Sequence, residues 1–235
     1  MGYLPVFIDV SGRTCVVIGG GEVAERKTLS LIEAGALVVL ISPEVTAGLA
    51  AMSRSAIRHL AREYRRGDLA GARLAFEATG DDVTARAVAS EAGELSVPVN
   101  VADVPELCTF IAPAVVQRGG LQIAISTGGA SPALAGKIRQ ELEDRFGHEY
   151  EVMVDLLAHL RRWLRIHQPD RGLRAHTLGA LVQSDLLQCL KRGDFAAANA
   201  IVEKVLGRGL AEIGFEATRI TRGAGHDPAM SNEPH

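Results

Sequence analysis

The sequence predicts an α/β fold: a parallel sheet covered by helices, then a small α+β dimerisation region, then a helical region. Three observations predict it. From Thr14 to about Pro113, β-branched runs alternate with Ala-rich stretches of helical period, the pattern of a parallel sheet with helices on its faces. A glycine-rich turn joins the first run to the first helical stretch. Beyond residue 147, apolar residues recur at helical spacing, as in Met153, Leu156, Leu157 and Leu160.

Taken in order, Thr14–Ile18 reads as a strand because it is short, apolar and β-branched, and Glu22–Ala34 reads as a helix that Gly35 ends. Leu37–Ile41 reads as the second strand. Further strands are expected near Ile57–Leu60, Arg73–Ala78 and Val97–Val99, with a helix near Val83–Ala92. Next come an apolar strand at Leu121–Ser126, a Gly-rich turn, and a helix opening at Ser131-Pro132, where serine caps and proline takes the first helical position. The expected domains are 1–113 for the sheet, 114–146 for dimerisation and 147–221 for the helices. The polar, Gly- and Pro-containing stretch 222–235 is read as a disordered tail.

Composition narrows the function classes. The chain has 235 residues, 47% hydrophobic and 23% charged, enough for a sizeable core and unlike a fibre or a disordered chain. No apolar run approaches the ~20 residues of a membrane helix, and no leader pattern opens the chain, so a cytoplasmic protein is expected. A net charge of −3 gives no nucleic-acid footprint. Cys15, Cys108 and Cys189 stand far apart, which suits neither a disulfide framework nor a paired-thiolate metal site, and they are read as ordinary buried thiols. His148, His159, His167 and His176 form no short metal motif, so no metal ligands are assigned.

The turn Gly19-Gly20-Gly21-Glu22-Val23-Ala24 fits the pattern G-x-G-x-x-A directly between a strand and a helix. In a Rossmann-like fold, Gly19 permits the tight turn, Gly21 lets a pyrophosphate approach, Ala24 permits close packing, and the helix start offers free N–H groups. The acidic residue expected at the end of the second strand is missing, since Leu40-Ile41 leads into Ser42-Pro43. Ser42 is left to bond the ribose, and with no following arginine for a 2′-phosphate the lean is to NAD. Thr79-Gly80-Asp81 ends the fourth strand at the carboxyl edge, where open α/β sheets bind ligands, and is expected to line the cofactor.

Asp103 follows the fifth strand at the same edge and is the candidate acid/base. Ser126-Thr127-Gly128-Gly129-Ala130-Ser131-Pro132 is a second glycine turn before a capped helix, readable as an anion site or as a structural turn. Lys137 and Arg139 on that helix are candidate carboxylate contacts or solvated helix charges.

These segments carry a resemblance. Leu4-Pro5-Val6-Phe7, Gly19 to Lys27, Asn100-Val101-Ala102-Asp103, Phe110-Ile111-Ala112-Pro113 and Ser126 to Ala135 occur in the order found in precorrin-2 dehydrogenases, a family that includes the amino-terminal module of sirohaem synthases. The chain resembles that module over about residues 1–146. The resemblance implies oxidation of precorrin-2 to sirohydrochlorin with NAD, in a homodimer, and ferrous iron insertion in some relatives. It implies Asp103 as the central acid/base. Gly19, Gly21, Glu22, Val23, Ser42, Pro43, Thr79 and Asp81 are the cofactor set that follows, with Asn100, Ser126, Thr127, Gly128, Gly129 and Lys137 for the tetrapyrrole. Thr127 stands where some relatives have serine, which retains a hydroxyl and adds a methyl.

Two alternatives stand beside this expectation. One is a bifunctional dehydrogenase and ferrochelatase. The other, of a different class, is a dinucleotide-sensing module without turnover, which would have no need of a carboxylate at Asp103.

Overall fold

The structure, a computed structural model, describes residues 2–52 and 57–216. The expected tail at 222–235 lies outside the described residues. The chain divides into two compact units, Met1–Ala112 with Gly128–Ala130, and Pro113–Thr127 with Ser131–His235.

In the first unit the order is β1 (Thr14–Ile18), α1 (Glu22–Glu33), β2 (Leu37–Ile41), α2 (Ala47–Ala51), β3 (Ile57–Leu60), β4 (Ala75–Glu77), α3 (Asp82–Leu95) and β5 (Val99–Val101), then a 3₁₀ turn at Pro105–Leu107. All neighbouring strands run parallel, in the order β3-β2-β1-β4-β5. This is a Rossmann-like sheet whose strand order reverses between β1 and β4, and ligands bind such sheets outside the carboxyl ends at that point.

Burial on both faces explains why β1 and β2 read as unbroken apolar runs. Cys15, Val17, Val38, Leu40 and Phe76 pack with Ala24 and Leu31 of α1 on one face. On the other, Val16, Ile18, Ile41 and Ala75 pack with Ala85, Val88 and Ala92 of α3. Each fully buried Val, Leu or Ile contributes about 1.5–3 kcal/mol. The link from β3 to β4 lies against α3, where the buried Glu91 accepts from Gly67 N at 3.0 Å and Leu69 N at 3.2 Å, and from the Tyr64 hydroxyl.

Several element bounds differ from expectation. The fifth strand is Val99–Val101 rather than Val97–Val99. Pro98 has no N–H to give the ladder, so the strand starts after it. The fourth is shorter than Arg73–Ala78. α2 was not expected, because five residues show no helical period; Thr46 defines it by accepting from Leu49 N.

The second unit opens with β6 (Ala114–Arg118) and β7 (Leu121–Ile125), an antiparallel hairpin closed by Gly119-Gly120. β6 was also not foreseen. Then come α4 (Pro132–Arg145), α5 (His148–His167), α6 (Arg171–Gln183), α7 (Leu186–Lys191) and α8 (Phe195–Leu206). Ser131 caps α4 through Leu134 N. Arg118 donates to Phe146 O at 2.7 Å and Glu143 O at 3.1 Å, fastening the hairpin to the end of α4. Leu156, Leu160, Leu181, Leu186 and Val202 form the core of the helices. The hairpin and α4, expected as a segment of their own, thus fall in one unit with α5–α8.

Candidate nucleotide and active site

The first unit brings one set of expected residues to one edge. Ile18 pairs with Ile41 and with Glu77, and Glu77 with Val101, so β1, β2, β4 and β5 end in one row. The loops beyond that row carry Gly19, Gly21, Glu22, Val23, Ser42, Pro43, Thr79, Asp81 and Asp103. Asn100 stands one residue before it.

Three consecutive glycines differ in what holds them. Gly19 has φ +117°, and a Cβ there would lie 2.4 Å from Ala78 O. Gly20 lies under the loop after β2, where a Cβ would stand 1.9 Å from Glu44 O and 2.6 Å from Ser42 Oγ. Gly21 is open: a Cβ would meet nothing within 4 Å. It is the N-cap of α1 and makes no side-chain cap, so the N–H groups of Glu22, Val23 and Ala24 have no intrahelical acceptor. An open backbone surface beside uncapped N–H groups at a positive dipole end fits a dinucleotide pyrophosphate.

The loop after β2 is tied to this turn. Thr46 N donates to Gly20 O at 3.0 Å, and the Thr46 hydroxyl donates to Glu25 of α1. Ser42, expected to bond a ribose, is buried and donates its hydroxyl to Glu44 O at 2.6 Å. Its proton is therefore used within the loop. Asp81 caps α3, accepting from Thr84 N at 2.8 Å, and hydrogen bonds from Thr84 hold its carboxyl below the usual range. It acts first as a helix cap. Thr79 is held from below by Glu77, whose Oε1 accepts from Thr79 N at 2.8 Å and from its hydroxyl.

Asp103 is exposed and has φ +61°, in the left-handed region that aspartate enters more readily than most residues. Its turn is braced on both sides. Cys108 receives Val101 N at 3.2 Å, and its S–H faces Val101 O at 3.2 Å and Val104 O at 3.5 Å. Asn100 donates to Phe110 O at 3.1 Å, and Phe110 meets Phe76 edge-on at 5.4 Å. The amide of Asn100, expected to contact substrate, thus positions the loop behind Asp103.

The second glycine turn is separate in the sequence. Gly128 and Gly129 have φ +64° and +87°, with open space where a Cβ would be, and are grouped with the first unit. Ser126 and Thr127 fall in the second. Thr127 Oγ1 accepts from Ser131 N at 2.9 Å and donates to Ser131 O at 3.1 Å, so its hydroxyl closes the turn. Lys137 lies on an exposed helix face, 3.9 Å from Glu141. Among the described residues, no group of three His, Cys, Asp or Glu side chains is placed to hold a metal, and no helix is long and apolar enough to cross a membrane.

Gly20 and Glu77 escaped the sequence reading. The first occupies a free position of the pattern. The second carried one available signal, an acid within an otherwise apolar strand, Leu74-Ala75-Phe76-Glu77-Ala78.

Comparison with known proteins agrees with this architecture. Residues 6–114 match a family model described as NAD(P)-binding, and residues 118–145 match one described as sirohaem biosynthesis protein central. The siroheme synthase of Thioalkalivibrio sulfidiphilus is 36% identical over 233 residues, 98% of this chain and 47% of the relative. That of Methylobacillus flagellatus is 43% identical over 159 residues, covering 67% and 34%. The chain is similar to siroheme synthases along almost its whole length, and the two family models match it in succession. It spans about half the length of the curated relatives it matches along its whole length, as with the Pseudomonas putida siroheme synthase, covered to 50%. A solved structure titled SirC, precorrin-2 dehydrogenase, shares the fold with a TM-score of 0.70 at 21% identity, over 86% of this chain and 98% of that one.

Proposed function

We propose that this chain dehydrogenates precorrin-2 to sirohydrochlorin in sirohaem biosynthesis, with NAD as hydride acceptor. The observation that carries the reading is Asp103, an exposed carboxylate set on a left-handed turn at the β5 end of a dinucleotide-type sheet edge. A sensing module has no need of an acid in that position.

Dehydrogenation removes two hydrogens from the reduced macrocycle, one as hydride and one as proton. NAD, when bound, supplies the acceptor for the hydride. The chain's own residues do the rest. The N–H groups of Glu22 and Val23 would hold the pyrophosphate beside the open Gly21 backbone. Asp103 takes or relays the proton from the substrate. Asn100 and Cys108 keep the Asp103 turn in place. Ser126, Thr127, Gly128, Gly129 and Lys137 are the remaining substrate-binding candidates.

The reading takes the protein to work in the cytoplasm as a homodimer. Support for the dimer is the β6–β7 hairpin: α4 and α5 pack on it, but both of its strands are edge strands, open to pairing with a second copy.

The deciding experiment mixes the purified protein with enzymatically made precorrin-2 and NAD under nitrogen and follows the visible spectrum. Appearance of sirohydrochlorin that depends on both protein and NAD is expected. A spectrum unchanged by the protein overturns the reading.

A further inference from the structure

The carboxyl edge holds a second acid that the proposed reaction does not use. Glu77 is the last residue of β4, between Ile18 of β1 and Val101 of β5, and is 2% exposed. Burying a carboxylate is costly unless its oxygens are met. Oε1 is met twice, by the N–H and the hydroxyl of Thr79. Because Thr79 lies beyond the strand, these bonds bring the carboxyl group to the carboxyl edge of the sheet. Oε2 has no partner among the described residues, yet it is not sealed from solvent.

The topology says which part of a dinucleotide meets this oxygen. With the pyrophosphate on the α1 turn after β1, the adenosine half lies towards β2, where this kind of sheet reads the adenosine ribose. The other half must extend over β4 and β5. β4 is the first strand end it crosses. A carboxylate oxygen with free lone pairs is an acceptor only, and the donors on that half of the molecule nearest the pyrophosphate are ribose hydroxyls.

We propose that Glu77 is the anchor for the nicotinamide-side ribose, its Oε2 accepting a hydrogen bond from a ribose hydroxyl while Thr79 fixes Oε1. The proposal rests on the dinucleotide reading above. It makes the buried acid a binding residue that registers the nicotinamide half along the edge on which Asp103 stands.

Calorimetric titration of the protein tests it with three probes: NAD+, NAD+ lacking the nicotinamide-side ribose hydroxyls, and ADP, which lacks that ribose altogether. A hydrogen bond to a charged acceptor predicts that wild-type protein binds the deoxy analogue about tenfold to a hundredfold more weakly than NAD+. Glu77→Gln should weaken NAD+ by about tenfold, leave ADP within about twofold, and remove most of the penalty for the deoxy analogue. Equal wild-type affinity for NAD+ and the analogue overturns the proposal without any variant. So does a Glu77→Gln protein that loses ADP and NAD+ in equal measure, since Glu77 would then only shape the Thr79 loop. Wild-type protein that binds no NAD+ fails the dinucleotide reading itself, a result distinct from either.

Discussion

Gly20 lies so close beneath Glu44 that a Cβ on it would stand 1.9 Å from the Glu44 carbonyl oxygen, whereas the neighbouring Gly21 faces open space. The two glycines therefore answer to different demands. Gly20→Ala forces the loop after β2 away and should lower stability by about 1–3 kcal/mol in urea denaturation. Gly21→Asp should leave the denaturation midpoint nearly unchanged and weaken NAD binding, because it sets a negative side chain where the pyrophosphate approaches. Unchanged calorimetric affinity in Gly21→Asp would remove the cofactor turn from the argument.

Asp103→Asn is expected to lower turnover by roughly 100- to 10,000-fold, the size of a general-base contribution, with NAD affinity retained. Asparagine also tolerates the left-handed backbone, so the turn should survive. A wild-type rate in this variant would take Asp103 out of the mechanism.

The hairpin predicts assembly. Sedimentation at micromolar concentration should give a dimer, and breaking the β6–β7 pairing by Val116→Pro should shift the protein towards monomer. Val116 is 1% exposed and pairs with Ile123, and proline there removes a donor from the ladder. A wild-type monomer would contradict this.

Acid should loosen the first unit through Asp68. Both of its oxygens accept from Arg62 at 2.7 Å, and Arg65 N adds a bond at 2.8 Å. The Arg62 hydrogen bond chiefly, against some desolvation, holds this carboxyl below its usual range. A depressed folded-state value contributes stability above the unfolded value, near 3.9, and loses it as pH falls through the folded one. Wild-type protein should therefore melt higher than Asp68→Asn at pH 7, and the gap should close below about pH 4. A gap of the same size at pH 3 would show that the ion pair contributes nothing through its charge.

Much of the fold was legible because burial on both faces writes itself as apolar runs. Thr14–Ile18 and Leu37–Ile41 have the bounds read from the sequence, and the Gly19–Ala24 turn sits between strand and helix as its pattern required. What stayed hidden is local hydrogen bonding. Nothing in Ser42-Pro43-Glu44 announces that the serine hydroxyl turns to Glu44 O, or in Thr79-Gly80-Asp81 that the aspartate caps α3. Side chains of this type choose between ligand and backbone by geometry that sequence does not carry. β6 was missed although Pro113 and Gly119-Gly120 bracket it, because Ala114-Val115-Val116-Gln117-Arg118 has three apolar residues in a row and no alternation. Glu77 was missed because, although it is an acid in an apolar run, a strand of three residues gives no period that tells a buried acid from an exposed one.

If position 103 supplies the acid/base proposed above, its left-handed backbone also restricts which residues can serve there. Among natural side chains, glycine and asparagine suit the turn but bring no acid, while glutamate brings the acid on a longer stem that the backbone there disfavours by about 1–2 kcal/mol. Position 103 thus has one solution that satisfies both demands. In a saturation library selected for sirohaem-dependent growth, it should rank glutamate below aspartate but above alanine, in contrast to the exposed Glu44, where aspartate should pass freely. A codon one base from its chemical near-equivalent thus carries a cost that the backbone, not the carboxyl group, sets.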